Sequence, residues 1–202
     1  MDSIAQNLTN IFYSVPEFFR YTIMFIMAFV EGVPILGTLF PGGTMPIIVG
    51  SLSLQGFVSS FWAILFITLG SFSGDMLGFY LGKHFCNHRW IKSILENEKH
   101  QSTWDLFDRH FALVVIFGKS LPVIRSTPSL FASARGVAIK KYALYSIVGS
   151  LLWAIVGMYG GKIIGHILGA NVAVLLVFGL IILSGLYIVL KNIIRHFKNY
   201  KK

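Results

Sequence analysis

The chain has 202 residues, 55% of them hydrophobic and only 12% charged, with a formal net charge of +9. Soluble domains carry about 25% charged residues, so an ordinary soluble enzyme or binding module is excluded and a single membrane domain is expected. The basic residues gather in Lys83 to Arg109 and Lys191 to Lys202, each beside an apolar run, which is the pattern of cytoplasmic loops rather than of a nucleic-acid surface. Cys86 is the only cysteine, so neither an intrachain disulfide nor a thiolate metal cluster can form.

Along residues 1–20, Ile4, Leu8, Ile11, Phe12, Val15, Phe18 and Phe19 recur at helical spacing. This predicts an amphipathic segment at the membrane interface, bent inward at Pro16. Asp2 and the missing basic n-region argue against a cleavable signal peptide. Residues 21–56 begin as a spanning run, but "EGVPILGTLFPGGTMP" interrupts it with Glu31, three prolines and four glycines. Proline removes a backbone donor and clashes with the preceding turn. The freed backbone groups cannot face lipid and must be buried in protein or line a wet cavity. The segment therefore reads as a re-entrant hairpin turning at Pro34, Pro41, Gly42 and Gly43.

Residues 57–82 form an unbroken spanning helix, and 83–110 a cytoplasmic loop. Residues 111–138, "FALVVIFGKSLPVIRSTPSLFASARG" and its flanks, repeat the broken pattern with Lys119, Pro122, Arg125 and Pro128. They read as a second hairpin. Two further spans cover 142–165 and 171–190, and 191–202 is a basic tail.

Each hairpin is followed by a helix with glycines four residues apart. The rows are Gly70, Gly74, Gly78, Gly82 and Gly157, Gly161, Gly165, the second continued upstream by Trp153 and Gly149. Small residues at this spacing make a ridge for close helix packing. The duplication, offset by roughly 83–87 residues, is the more informative signal. With the basic loop and tail placed in the cytoplasm, the first hairpin opens outward and the second inward. The expected fold is therefore an all-α polytopic membrane protein: an inverted repeat of two hairpins with glycine-ridged helices, plus a C-terminal spanning helix. Such repeats meet near the midplane in secondary transporters.

Glu31, Lys119 and Arg125 are the costly residues, since an intramembrane charge costs at least about 2.5–3.5 kcal/mol and faces a cavity or a partner. One reading is a structural ion pair of Glu31 with Arg125 or Lys119. The other has Arg125 and Lys119 capturing an anion while Glu31 exchanges a proton. Arginine offers a planar fork to phosphate oxygens and lysine a point charge. Burial among apolar groups favours the protonated carboxyl unless a cation lies close. Asp75 either pairs locally or lines the same cavity. His84, Cys86 and His88 read as a solvated face, because the cysteine points away from the histidines and no third ligand has proper spacing. Trp62, Tyr80 and Trp153 read as interfacial anchors or packing. No nucleophile elbow, phosphate loop or paired-histidine motif occurs, so no enzyme, cofactor or metal is expected.

The stretches "EGVPILGTLFPGGT", "GDMLGFYLGK" and "FGKSLPVIRSTPSLFASARG", with "ALYSIVGSLLWA" further on, resemble the DedA family, also described as SNARE-associated or VTT-domain membrane proteins. The likeness runs from about Phe29 to Gly165 and implies two opposed re-entrant hairpins and movement of lipids across the membrane. For bacterial members it implies recycling of the polyprenyl-phosphate carrier and a link to the proton-motive force. By position, Glu31 matches the family's acidic residue before the first turn, and Arg125 the arginine of the second hairpin. Lys119 stands where many members have arginine, Gly43 where many have a second acid, and Ser133 where Ala-Gly is usual.

The expected function is translocation of a phosphate-bearing lipid, with undecaprenyl phosphate the first choice and proton coupling an option. Arg125 and Lys119 would bind the phosphate, and Glu31 and Asp75 would handle protons. The rivals are a proton-coupled antiporter or exporter of small ions or solutes, and an intramembrane scaffold for envelope proteins. The expected partners are the bilayer, the anionic lipid and, optionally, further copies as a homo-oligomer. The expected location is the cytoplasmic membrane with the C-terminus inside.

Overall fold

The computed structural model describes residues 15–34, 36, 44–85, 107, 109–120, 125 and 127–169. The described residues form helices, with no strand among them. In chain order these are α1 (Glu17–Gly32), α2 (Met45–Ser53), α3 (Ser60–Phe85), α4 (Phe111–Phe117), a 3-10 turn (Gly118–Ser120), α5 (Thr127–Ala134) and α6 (Ile139–Leu168). At about 1.5 Å per residue, α3 and α6 exceed the ~30 Å hydrocarbon core of a bilayer, and they are the two described helices long and apolar enough to cross one. The other four are too short to cross alone.

Local sequence sets the breaks. Pro16 caps α1 and Glu17 follows in its first turn, an acidic residue where the helix dipole favours it. The helix then continues past Glu31 and ends at Val33, because Pro34 disfavours helical backbone in the residue before it. The expected boundary at residue 20 is therefore absent, since 17–20 belong to the same helix as 21–32. Pro46 sits in the first turn of α2, where a missing N–H costs nothing. Gly136, at φ +69°, makes the turn from α5 into α6 in a conformation that side chains resist. The spanning helices also differ from the expected 57–82 and 142–165. The first starts and ends later, and the second extends at both ends, because Ile139, Ile167 and Leu168 are apolar and no breaker intervenes before Gly169. Residues 1–14, most of the 83–110 loop, the 171–190 span and the 191–202 tail lie outside the described residues.

The two long helices run antiparallel, with Ser71 opposite Ser150, Asp75 opposite Ser146 and Phe79 stacked on Tyr142. Glycines then decide what packs on each. On α3, Gly70 and Gly74 admit the backbone of α1 at Phe25, Phe29 and Gly32, while Gly78 and Gly82 admit α5 at Ser129, Leu130 and Ser133. On α6, Gly149 admits α4 at Val115 and Ile116, while Gly157, Gly161 and Gly165 admit α2 at Pro46, Ile47 and Ser51. Each long helix thus holds the first short helix of its own half and the second short helix of the other half. Gly70 matches Gly149, Gly78 matches Gly157 and Gly82 matches Gly161 at one constant offset. That offset is shorter than the roughly 83–87 residues expected from the sequence. These contacts also fix directions: α1 and α5 run with α3, whereas α2 and α4 run with α6.

Burial is inverted relative to a soluble protein. Phe18, Phe61, Val156, Ile163 and Ile167 are all more than 60% exposed, while Glu31, Ser71, Asp75, Lys119, Arg125, Ser129, Ser146 and Ser150 are buried. An apolar exterior around a polar interior is the arrangement a lipid solvent demands. Two apolar clusters fill the rest. One gathers Met24, Ala28, Val49, Ile67, Trp153 and Met158, the other Phe79, Phe107, Val115, Phe131 and Tyr142. On α3 and on α6 the polar residues fall between them.

Ser51 ties α2 to α6 by donating to the Gly161 carbonyl at 2.9 Å. Ser51→Ala removes one hydrogen bond worth about 1 kcal/mol, and thermal unfolding in detergent should show that small loss with the helical content unchanged.

Candidate functional site

The four charged residues singled out by the sequence come together in two buried ion pairs. Arg125 Nη2 lies 3.0 Å from Glu31 Oε2, and Lys119 Nζ contacts Asp75 Oδ2. Lys119 and Arg125 are each only 3% exposed. Five elements converge to make this cluster. Glu31 comes from the last turn of α1, Asp75 from the middle of α3, Lys119 from the 3-10 turn after α4, and Arg125 from just before α5. The fifth element, α6, supplies Ser146, Ser150 and Trp153. Of the partners open to Glu31, the structure selects Arg125, and Asp75 faces the cluster rather than capping locally.

The two cations are held differently. Lys119 sits in an oxygen nest: it donates to Ser150 Oγ and lies 3.4 and 3.5 Å from the hydroxyls of Ser146 and Ser71. Ser146 in turn donates to Asp75 Oδ2 at 2.5 Å, and Ser150 to the Ser146 carbonyl at 2.9 Å. Arg125 lies flat on an aromatic ring, its guanidinium carbon 3.9 Å from the centroid of Trp153. A desolvated cation–π contact of this kind is worth about 2 kcal/mol. Its approach to Glu31 is an ion pair without hydrogen-bond alignment, and Nη1 has no hydrogen-bond partner among the described residues. Among the described residues, Arg125 therefore keeps N–H donors that an anion could use. The field of Asp75 reaches Arg125, and that of Arg125 reaches Lys119, so the four groups act as one electrostatic unit with two charges of each sign.

The remaining predicted positions separate. Pro34 closes α1 against Gly78, and Pro128 is buried in the first turn of α5. Pro41, Gly42, Gly43 and Pro122 lie outside the described residues. His84 is exposed, Cys86 and His88 are outside the described residues, and no group of three metal-ligating side chains occurs among those described. Trp62 and Tyr80 are about half exposed on the apolar surface, as anchors are. Trp153 is not: it is buried, packed in an apolar cluster with Arg125 on its ring, so the packing reading holds and the anchor reading does not.

Trp153 and the serines are the site residues that sequence reasoning missed. A signal was present. Ser146 and Ser150 stand one turn apart in an apolar stretch of α6, and Ser71 and Ser150 share the offset that relates the glycine pairs.

Comparison with known proteins places this arrangement. The VTT domain model matches residues 40–163, more than half of the chain. Among curated relatives, an uncharacterized membrane protein of Buchnera aphidicola is 27% identical over 144 residues, covering 69% of this chain and 56% of that protein. Inner membrane protein YghB of Escherichia coli is 26% identical over 136 residues, covering 66% and 62%. Protein DedA of Escherichia coli is 24% identical over 182 residues, covering 87% and 83%. The match thus spans less than two thirds of the length of the first two relatives. No solved structure gives a significant match. With an apolar exterior, two helices of spanning length and a domain match that takes in Asp75, Lys119, Arg125 and Trp153, the chain belongs to the VTT-domain, or DedA, family of membrane proteins.

Proposed function

We propose that the protein moves a phosphate-bearing lipid across the bilayer, with undecaprenyl phosphate the preferred substrate, and that it does so with proton uptake. The observation that carries this reading is the buried Arg125 guanidinium, whose Nη1 has no hydrogen-bond partner among the described residues, in one electrostatic unit with the Lys119 ammonium. Two buried cations can grip a phosphate from different directions, the arginine through its fork and the lysine as a point charge. The lipid tail stays in the bilayer, against the apolar exterior.

Charge balance supplies the coupling. The resting cluster is neutral, with two cations and two carboxylates. A phosphate entering it would leave net negative charge in a medium of low dielectric, which is costly. Protonation of Glu31 or Asp75 restores neutrality and frees the cation that the carboxylate held. Anion loading and proton binding therefore favour one another.

The directions of the short helices support two re-entrant hairpins of opposite sense. α1 enters alongside α3 and α2 returns alongside α6, toward the end where α3 begins. α4 enters with α6 and α5 leaves with α3, toward the end where Lys83, Arg135, Lys140 and Lys141 are exposed. That basic end is assigned to the cytoplasm, with the C-terminal tail on the same side. Rocking of one half against the other would open the cluster to each side in turn.

The test is reconstitution into liposomes, following transbilayer movement of a polyprenyl phosphate with and without an imposed pH gradient. Movement that the gradient accelerates is the expected result. Exchange of small cations against protons, with the lipid unmoved, would replace this reading with an antiporter. No movement of either would replace it with a scaffold.

A further inference from the structure

Beyond the ion pairs, α6 carries a buried tyrosine to which the transport reading gives no role. Tyr142 is 1% exposed, its ring stacked on Phe79 at a centroid distance of 5.1 Å. Its hydroxyl hydrogen-bonds both Ser146 and Ser129. Ser146 is the residue that donates to Asp75 at 2.5 Å. Ser129 lies on α5 against Gly78, and Ser133 stands one turn further along the same helix against Gly82. Beyond Ser133 come the exposed Arg135 and Gly136. The hydroxyls of Ser146, Tyr142 and Ser129 thus run from the centre of the site onto α5, and Ser133, whose Oγ has no hydrogen-bond partner among the described residues, continues that face toward the basic end. Along α3, Asp75 and Lys83 are eight residues or about 12 Å apart.

We infer that Ser146, Tyr142 and Ser129 form a proton relay through which Asp75 exchanges protons with the basic face of the membrane. This rests on the proposed transport reading and adds to it the route and the carboxylate that uses it. In the loading direction, the Ser146 O–H bond breaks and its proton bonds to Asp75 Oδ2. Tyr142 passes its own proton to the Ser146 oxygen, and Ser129 passes its proton to the Tyr142 oxygen. Ser129 is refilled from water at the basic end, along the α5 face that carries Ser133. Each hydroxyl ends as it began, and the net change is one proton on Asp75.

Among the described residues, the ionisable groups that act on Asp75 are Lys119, Arg125 and Tyr142. Once Asp75 is neutral, Lys119 loses its counter-ion and turns to the phosphate. The glycines serve the route as well. Room beside Gly78 and Gly82 is what lets Ser129 and Ser133 lie against α3.

Tyr142→Phe tests the relay while keeping the ring on Phe79. In liposomes, movement of polyprenyl phosphate driven by a pH gradient should slow about a hundredfold, the low end of what a lost proton-transfer group costs. Binding of polyprenyl phosphate by the detergent-solubilised protein should be unchanged. Ser129→Ala should act in the same direction and Ser129→Thr should restore the rate, whereas Tyr80→Phe, on the exposed surface, should change nothing. Unslowed movement in both Tyr142→Phe and Ser129→Ala overturns the relay and leaves the transport reading standing. A parent chain that moves no phosphate lipid overturns the transport reading instead. In that case the rate at which Asp75 takes up a proton after a drop in pH on the basic side, followed by its carboxyl band in the infrared, decides the relay alone. Slower protonation in Tyr142→Phe supports it, and an equal rate overturns it.

Discussion

Arg125→Met should destabilise the protein by about 3–5 kcal/mol, the cost of leaving a buried charge without its partner, and should abolish movement of phosphate lipid. Loss of transport alone would not separate the two roles of Arg125, because the buried Glu31 also loses the cation it pairs with. The double variant Glu31→Gln with Arg125→Met separates them. Replacing a whole buried pair is often close to neutral for stability, so the double variant should regain most of the melting temperature in detergent. Transport should stay absent, because the guanidinium that grips the phosphate is gone. Recovery of both stability and movement in the double variant would reduce Arg125 to a strut between α1 and α5.

The second large effect is expected at a single methyl group. A Cβ on Gly161 would collide with the Ile47 carbonyl of α2, while a Cβ on its neighbour Gly160 meets nothing within 4 Å. Gly161→Ala must therefore push α2 off α6, at a cost of about 1–3 kcal/mol or more, and disturb Ser51 and its hydrogen bond. Gly160→Ala should stabilise the helix by roughly 0.5–1 kcal/mol. Two alanines side by side in the sequence should thus move the melting temperature in opposite directions. Equal shifts would show that the close approach of the two backbones does not govern the packing.

The charged members of the site were legible in the sequence because charge in an apolar segment is costly enough to demand a reason. Glu31, Asp75, Lys119 and Arg125 could be picked out on that ground. Their pairing could not, since whether Glu31 meets Arg125 or Lys119 depends on the depth and rotation of short helices whose ends are set by local breaks. The contact of Trp153 with Arg125 was missed because an indole suits a membrane interface or an apolar core as well as a cation, and only the approach of Arg125 reveals it. The serines were passed over because a hydroxyl in a membrane helix can satisfy itself on its own backbone, as Ser150 partly does. The duplication of the glycine rows was visible, but such rows alone fit several offsets, and the packing partners give a shorter one by setting Gly149 beside Gly70.

The crossed arrangement, in which each long helix clasps a short helix from the opposite half, bears on how the protein is made. When Met45–Ser53 is synthesised, the ridge that receives it on Ile139–Leu168 has not yet left the ribosome. The early half must therefore wait in the translocon or the lipid with Glu31 and Asp75 still lacking their cations, which arrive with Lys119 and Arg125. Neutral carboxyls cross into hydrocarbon far more cheaply than ionised ones, so the nascent half would carry its acids protonated and surrender those protons as the late half docks. Assembly and charge separation would then be a single event, completed only when Ile139–Leu168 is in place.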